Sequence, residues 1–313
     1  MRNNLISRRT LLRYAGYAGL GSLATGLPLP GRPNNDTIML KRRILSSADE
    51  WLPVVGLGTW IQFDVGASAE ERQPLVEVLK KMAELGGKVI DSSPMYGKAE
   101  TVVGDLAAET GLADRFFYAT KVWTSGEKEG IEQMQDSMRK MRRQTMDLMQ
   151  IHNLLDWEIH LKTLRKWKEE GRIRYLGITH YKASAHEQLE KIIRTEKIDF
   201  VQCNYSIKVR DAENRLLGAA RDNGVSVLIN EPFGTGTLFQ SVKGKDLPEW
   251  AADYDINSWA QFFLKYILAN EAVTCVIPGT SNPKHVADNL NAAMGRLPDE
   301  AGRKKMIEFM EKL

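Results

Sequence analysis

The chain is poor in cysteine and in the motifs that usually mark metal, phosphate or nucleophilic chemistry. It has 313 residues but two cysteines, Cys203 and Cys275, which are too few for a disulfide framework. We interpret both as small apolar side chains, because each falls in a different predicted buried strand. No G-x-G-x-x-G motif follows a predicted strand, which argues against an open dinucleotide-binding sheet. The strand ends lack a cluster of His and Asp ligands, so we predict no bound metal and set aside a barrel metallohydrolase.

The chain also lacks a surplus of charge outside its first residues. Its net charge is +3, but residues 1–33 hold five arginines and no acidic residue. The remainder carries 38 basic and 40 acidic side chains, a balance of −2. A nucleic-acid surface needs a dense basic patch, so we expect no nucleic-acid partner.

The amino-terminal residues have a pattern of their own. Arg8 and Arg9 stand in the stretch SRRTLLR, and an apolar, Gly-rich run follows from Ala15 to Leu27. The arginine pair and the run resemble a twin-arginine export signal, and the run is too short to span roughly 30 Å of hydrocarbon. We therefore expect residues 1–36 to be a signal and linker recognised by the twin-arginine export machinery, and the protein to be periplasmic. The alternative is a basic tail on a cytoplasmic protein.

From residue 37 onward, short apolar runs alternate with amphipathic stretches. The predicted strands are Val54–Gly58, Lys88–Asp91, Phe116–Lys121, Asp147–His152, Ile173–Thr179, Phe200–Asn204, Val225–Asn230 and Thr274–Ile277. The predicted helices are Glu70–Leu85, Ala99–Glu109, Ile131–Arg143, Trp157–Glu169, Ala183–Arg194, Ala212–Asn223, Ile256–Ala269 and Pro283–Ala293. Eight strand–helix units in one chain predict an α/β fold, a (β/α)8 TIM barrel over residues 37–313. The stretch 37–46 predicts an N-terminal β-hairpin cap.

Four polar side chains stand at, or just after, the ends of successive predicted strands. They are Asp91, Tyr96, Lys121 and His152. The carboxyl ends of barrel strands meet at one mouth, so the four should lie together. A phenol has a pKa of about 10, and a lysine next to it stabilises its phenolate. We expect Lys121, partnered by Asp91, to lower the pKa of Tyr96. Tyr96 would then act as a general acid on a carbonyl that His152 orients.

Each of these residues also has a structural interpretation when it is taken alone. Asp91 and Lys121 can form a buried ion pair that only holds strands together. Tyr96 can pack on the barrel rim, and His152 can be bonded to the backbone at its strand end. Their joint occurrence at one mouth favours the chemical interpretation.

At these residues the chain resembles an aldo-keto reductase. The family's tetrad of Asp, Tyr, Lys and His matches, in that order, Asp91, the Tyr96 of SPMYG, the Lys121 of TKVW and the His152 of QIHN. GLGTW, VQCNYS and VIPGTSNPKHVADNL are similar to further family segments, so the likeness runs from about residue 37 to residue 291. The resemblance implies an NAD(P)H-dependent oxidoreductase that reduces an aldehyde or ketone to an alcohol by hydride transfer. Its substrate would be a small-molecule carbonyl compound.

The resemblance also implies where the cofactor, NADPH with NADH as the alternative, would bind. Thr179, His180 and Gln202 are expected at the nicotinamide carboxamide. The further expected contacts are Asn230, Pro232, Gly234, Gly279, Thr280, Ser281, Lys284, His285, Asp288 and Asn289. The helix that starts at Pro283 suits the phosphates, because a helix N-terminus attracts anions.

Three positions depart from the family pattern. Asn230 stands where the family usually has a tyrosine that stacks on the nicotinamide, and Glu231 adds a negative charge near the pyrophosphate path. His285 stands where an arginine often holds the 2′-phosphate. We therefore expect the protein to bind NADPH in preference to NADH, with NADH as the alternative cofactor.

Three aromatic residues, Trp60, Phe63 and Trp123, fall in loops at the same mouth. They predict an apolar substrate pocket, with core packing as the alternative. We expect a monomer. The competing function is a nucleotide-binding regulatory or sensor barrel with little turnover, which would keep the cofactor residues but would not depend on Tyr96.

Overall fold

The computed structural model describes residues 38–313, and the predicted signal segment lies outside this described part. Two short antiparallel strands come first, β1 (Lys41–Arg43) and β2 (Trp51–Pro53). Eight parallel strands follow: β3 (Leu57–Gly58), β4 (Val89–Asp91), β5 (Phe117–Val122), β6 (Met146–His152), β7 (Ile173–His180), β8 (Phe200–Asn204), β9 (Ser226–Asn230) and β10 (Val273–Val276). They stand side by side in chain order, from β3 to β10. The predicted TIM barrel is confirmed.

Main-chain hydrogen bonds between the segment that leads into β3 and the last strand, β10, close the barrel. The amide of Gly56 donates to the carbonyl of Val276 at 2.8 Å, and the amide of Val276 donates to the carbonyl of Val54 at 2.9 Å. A Cβ at Gly56 would lie 2.8 Å from the carbonyl oxygen of Val89. Glycine at this position therefore allows the chain to pass close to the neighbouring strand β4.

Helices connect the barrel strands and follow the last of them. They are α1 (Ala69–Glu84), α2 (Ala99–Glu109), α3 (Glu127–Lys140), α4 (Trp157–Glu169), α5 (His186–Thr195), α6 (Asp211–Asn214), α7 (Leu216–Asp222), α8 (Thr237–Ser241), α9 (Trp259–Leu268), α10 (Pro283–Asn291) and α11 (Glu300–Glu311). The predicted helix Ala212–Asn223 is split into α6 and α7, because Arg215 leaves the helical region at φ −147°. Neither α8 nor α11 was predicted. Within residues 38–313, no helix is both long and apolar enough to cross a bilayer.

The hairpin formed by β1 and β2 covers the amino-terminal end of the barrel. Ile44 and Leu52 are buried in one cluster with the inward-facing apolar side chains of the barrel strands. Arg42 donates to three main-chain carbonyls between residues 268 and 273, so it ties the hairpin to the end of α9. The cap was predicted within residues 37–46, but its second strand, β2, lies further along the chain.

Side chains inside the barrel form an apolar half and a polar half. The apolar, amino-terminal half contains Val89, Phe117, Leu148, Tyr175, Phe200 and Leu228. In the carboxyl-terminal half the register pairs Lys121 with Gln150 and His152 with Thr179. Alternation along each strand therefore places the predicted catalytic side chains of β4, β5 and β6 in the polar half.

Asp199 links the start of β8 to the middle of β7. Its buried carboxylate accepts a hydrogen bond from the amide of Leu176 at 3.0 Å and pairs with Lys168 at 2.6 Å. We expect Asp199→Ala to lower the free energy of unfolding by about 2 kcal/mol, because the Leu176 amide would be buried without an acceptor. Urea unfolding followed by circular dichroism measures this loss.

The matched control for that experiment is Asp222→Ala. Asp222 is exposed and pairs with its neighbour Arg221 at 3.2 Å. An exposed pair of this kind contributes about 0.5 kcal/mol or less. Equal losses for the two variants would contradict the role given to Asp199.

Candidate active site

A cavity of about 770 Å³ opens at the carboxyl ends of the barrel strands. Asp91, Tyr96 and His152 line it, and the fully buried Lys121 lies directly behind them. The four residues proposed for catalysis therefore meet at one place. Among residues 38–313, no three His, Cys, Asp or Glu side chains come together as a metal site.

Asp91 and Lys121 form an ion pair inside the barrel. Lys121 Nζ lies 2.5 Å from Asp91 Oδ2 and also donates to the carbonyl of Ser92 at 2.7 Å. The other oxygen of Asp91 accepts from the amide groups of Gln150 at 3.0 Å and Gln202 at 2.9 Å. Burying two charges is costly unless both are paired and hydrogen-bonded, and this network meets that requirement.

Gln150 is a member of this network that the sequence analysis missed. It lies two residues before His152 on β6, so strand alternation alone pointed its side chain into the barrel. Its amide is neither a titratable group nor a usual metal ligand, so no sequence motif marks it. The side chain has room because the facing residue is Gly177, where a Cβ would lie 3.3 Å from Gln150 Cγ.

A tight turn carries Tyr96 from the end of β4 back over the ion pair. The amide of Tyr96 donates to the carbonyl of Ser93 at 3.0 Å. Lys121 Nζ lies 5.0 Å from the centre of the Tyr96 ring, so the positive charge acts on the phenol at short range. The phenol is therefore held between the cation and the open cavity.

Burial and charge act in opposite directions on this pair. Burial raises the pKa of the Tyr96 phenol, although Lys121 pulls it down. For Lys121, burial alone would lower the pKa, but Asp91 and Tyr96 outweigh it and raise the pKa. The expected net lowering of the Tyr96 pKa is thus wrong. Lys121 acts in the predicted direction, but the loss of water around the phenolate is the larger effect.

The His152 ring meets Tyr96 edge to face, with ring centres 5.9 Å apart. Burial lowers the pKa of the His152 imidazole to about 3, and the positive charge of Lys121 adds to this effect. The ring is therefore neutral near neutral pH and can donate one hydrogen bond. Ser93 Oγ lies 3.0 Å from His152 Nδ1, a contact that the sequence analysis missed.

Polar residues of β7, β8 and β9 form one wall of the cavity. Thr179 Oγ1 donates to Gln202 Oε1 at 3.2 Å, and Asn230 Nδ2 donates to the same oxygen at 3.3 Å. Asn230 Oδ1 is buried and has no hydrogen-bond partner within the described residues. An open acceptor at this wall fits an amide N–H such as that of a nicotinamide carboxamide. His180 is not among the residues that line the cavity, and its ring stacks on Tyr181.

The segment after β9 bends sharply at the cavity. Glu231, Gly234 and Thr235 have positive φ angles of 49°, 54° and 51°, which are unfavourable for the two residues other than glycine. Glu231 is half-buried, and burial raises the pKa of its carboxyl. Pro232 and Phe233 line the cavity with it. The strained segment therefore presents one carboxylate and two apolar side chains to a ligand.

Helix α10 begins next to the cavity, shortly after Gly279. Asn282 caps the helix, because its Oδ1 accepts from the amide of Lys284 at 2.9 Å, and Pro283 occupies the first turn. The free amides of this turn and the Lys284 side chain suit an anionic group. The start of α10 is thus a fitting place for the phosphates of a dinucleotide.

Several predicted cofactor contacts at α10 already have partners within the protein. These contacts are Thr280 with His285 (3.5 Å), Ser281 with Gln62 (3.1 Å) and Asp288 with Gln261 (2.6 Å). Asn289 is buried against the barrel. Asp288 and Asn289 therefore help to hold α10 in place, so any contact with adenine comes in addition to this structural role.

An apolar rim surrounds the cavity mouth. Trp60 and Trp123 line the cavity, as the sequence predicted for them, with 48% and 40% of their surface exposed. Phe63 was expected there as well, but it is fully buried in the core, because the turn after β3 folds it inward. The rim residues that the sequence analysis missed are Ile61, Met95, Tyr181 and Phe239.

Known proteins share this fold and sequence pattern. Residues 54–304 match the model of the Aldo/keto reductase family. The chain is 28% identical over 259 residues to methylglyoxal reductase YeaE of Escherichia coli (strain K12), covering 80% of this chain and 89% of that protein. It is 26% identical to aldo-keto reductase str7 of Strobilurus tenacellus, covering 91% and 94% of the two chains.

A solved structure shows the same architecture. An aldo/keto reductase from Klebsiella pneumoniae, in complex with NADP and acetate, has a TM-score of 0.72 and 24% sequence identity, over 83% of this chain and 92% of its own. The barrel and the phenol–ammonium pair at its mouth define an oxidoreductase of the (β/α)8 class. The chain belongs to the aldo/keto reductase family.

The ion pair inside the barrel can be tested through stability. We expect Lys121→Met to lower the free energy of unfolding by about 3 kcal/mol, because Asp91 would be left as a buried charge without a cation. Urea unfolding measures the loss. The double variant Asp91→Asn/Lys121→Met should recover part of it, since the unpaired charge is then removed. If the double variant is no more stable than Lys121→Met alone, the loss does not come from an unpaired charge on Asp91.

Proposed function

We propose that this protein reduces an aldehyde or ketone to an alcohol with a nicotinamide dinucleotide, and that Tyr96 is the general acid. The observation that carries the proposal is the buried phenol held between the Lys121 ammonium and the His152 ring beside a large cavity. Membership of the aldo/keto reductase family supports the reaction class.

Each side chain has one task at the carbonyl group. His152 is neutral, so it donates a hydrogen bond to the carbonyl oxygen and orients it. The raised pKa of Tyr96 keeps its proton in place until it is needed, and the phenol then gives that proton to the same oxygen. Lys121, held by Asp91, stabilises the phenolate that remains.

A bound dinucleotide supplies the hydride. Asn230 would accept from its carboxamide, and the start of α10 with Lys284 would meet its phosphates. NADP is present in the similar Klebsiella pneumoniae structure, which supports NADPH as the cofactor. His285 at the helix start, instead of an arginine, keeps NADH as the second candidate.

The cavity supports a substrate class as well. Its aromatic rim favours an aldehyde or ketone with an apolar ring or tail. A similar protein is named a methylglyoxal reductase, so a small dicarbonyl is the second candidate. A sensor barrel would also bind the dinucleotide, but it would not need a phenol placed beside a lysine.

The role of Tyr96 predicts a specific loss of turnover. Tyr96→Phe should lower kcat by about 10²- to 10⁴-fold, because the proton donor is removed, and the Kd for NADPH should stay within about twofold. Steady-state rates with apolar aldehydes and methylglyoxal, each with NADPH and with NADH, measure the first quantity. Fluorescence titration measures the second.

Tyr118→Phe is the control for that experiment, because it removes a phenol oxygen that donates to Ala113 outside the cavity. A Tyr96→Phe enzyme with unchanged kcat would rule out the proposed general acid.

The pH profile of the wild-type rate should show no step from His152 between about pH 5 and pH 9, since a pKa of about 3 keeps the ring neutral throughout.

We further propose that the protein is exported to the periplasm through the twin-arginine machinery and acts there as a monomer. Arg8, Arg9 and the short apolar run after them support this proposal. Twin-arginine routes carry folded proteins, so the dinucleotide would be exported inside the barrel.

Changing Arg8 and Arg9 together to lysine should retain the protein in the cytoplasm, because the export machinery recognises the arginine pair. Cell fractionation and immunoblotting measure the distribution. Arg2→Lys, outside the pair, is the control and should leave export unchanged. A periplasmic fraction that is the same for both variants would argue for the cytoplasmic alternative.

A further inference from the structure

Ser93 contacts both groups that the proposed reduction places at the carbonyl oxygen. The residue is fully buried and lies two positions after the end of β4. Its carbonyl accepts from the amide of Tyr96 at 3.0 Å. Its hydroxyl oxygen lies 3.2 Å from the amide nitrogen of Met95 and 3.0 Å from His152 Nδ1. One serine therefore holds the turn that carries the phenol and touches the imidazole ring.

The direction of the bond between Ser93 and His152 follows from counting donors. The Met95 amide can only donate, so Ser93 Oγ is the acceptor in that bond. The serine then has one O–H left, and within the described residues its remaining hydrogen-bond neighbour is His152 Nδ1. If Nδ1 carried the proton instead, a buried hydroxyl hydrogen would have no acceptor, which is unfavourable. The serine therefore donates and Nδ1 accepts.

A neutral imidazole that accepts at Nδ1 carries its proton on Nε2. His152 lines the cavity, and its Nε2 has no hydrogen-bond partner between residues 38 and 313. In this tautomer the ring presents an N–H to a ligand in the cavity. In the other tautomer it would present a lone pair, which repels a carbonyl oxygen.

We propose that Ser93 is a positioning residue that holds His152 in the tautomer with its proton on Nε2, so that the ring can donate to the substrate carbonyl. The effect on rate rests on the proposed reduction. The tautomer itself is a property of the free protein and can be measured without any substrate.

Nitrogen NMR of protein labelled in its histidines tests the proposal directly. The chain has five histidines, and the His152 signals are those that disappear in His152→Gln. We expect the wild-type protein at neutral pH to show an unprotonated Nδ1 and a protonated Nε2 for His152. A protonated Nδ1, or a cationic ring, would overturn the proposal, whatever the enzyme does with carbonyl compounds.

Variants connect the tautomer to turnover. Ser93→Ala should give a mixture of His152 tautomers and a kcat lowered by roughly five- to tenfold, with the Kd for NADPH unchanged. Ser93→Thr keeps the hydroxyl and should restore the wild-type tautomer. Ser206→Ala is the matched control, because Ser206 Oγ also accepts from a turn amide, that of Val209 at 3.1 Å, without touching a histidine.

A double variant separates this role from a purely structural one. In the His152→Gln background, Ser93→Ala should cause little further loss of kcat, because Ser93 would act through the missing ring. A full additional loss would mean that Ser93 matters only for the turn that carries Tyr96, and would overturn the proposal. If no variant and no wild-type enzyme reduces any carbonyl, the proposed function fails, while the wild-type NMR result still decides the tautomer.

Discussion

The ion pair between Lys121 and Asp91 is the interaction on which the rest of the site depends. Two charges leave water when the barrel closes, and this is tolerable only because the pair is short and further donors from Gln150 and Gln202 complete it. These four residues come from four different strands, β4, β5, β6 and β8. The network can form only when these strands are in their native register, so the barrel and the site stabilise one another.

The same burial explains how the neighbouring groups divide their tasks. Water is excluded around the pair, which disfavours charge on the phenol of Tyr96 and on the ring of His152. The phenol keeps its proton and the imidazole remains neutral, while the ammonium of Lys121 stays charged because Asp91 faces it. One buried environment thus yields a proton donor, a neutral hydrogen-bond donor and a fixed cation.

The sequence predicted the barrel and the inward direction of Asp91, Lys121 and His152, because strand alternation is a local property with a period of two residues. It missed Gln150 and Ser93, whose side chains do not titrate and gain their roles only from their neighbours. It placed Phe63 at the pocket, since the path of the loop after β3 depends on packing that no local pattern reports. The second strand of the hairpin cap was misplaced for the same reason.

The direction in which the pKa of Tyr96 shifts depends on the folded barrel as well as on the neighbouring residues. A lysine beside a tyrosine gives the sign of one effect, but the balance depends on how much water the folded barrel removes. Local periodicity and chain order are enough to give the succession of strands and helices and the residue types that reach the barrel mouth. The folded barrel fixes which of these groups are in contact, which are shielded from water, and hence which keep a proton, because contact and desolvation arise when distant segments pack together.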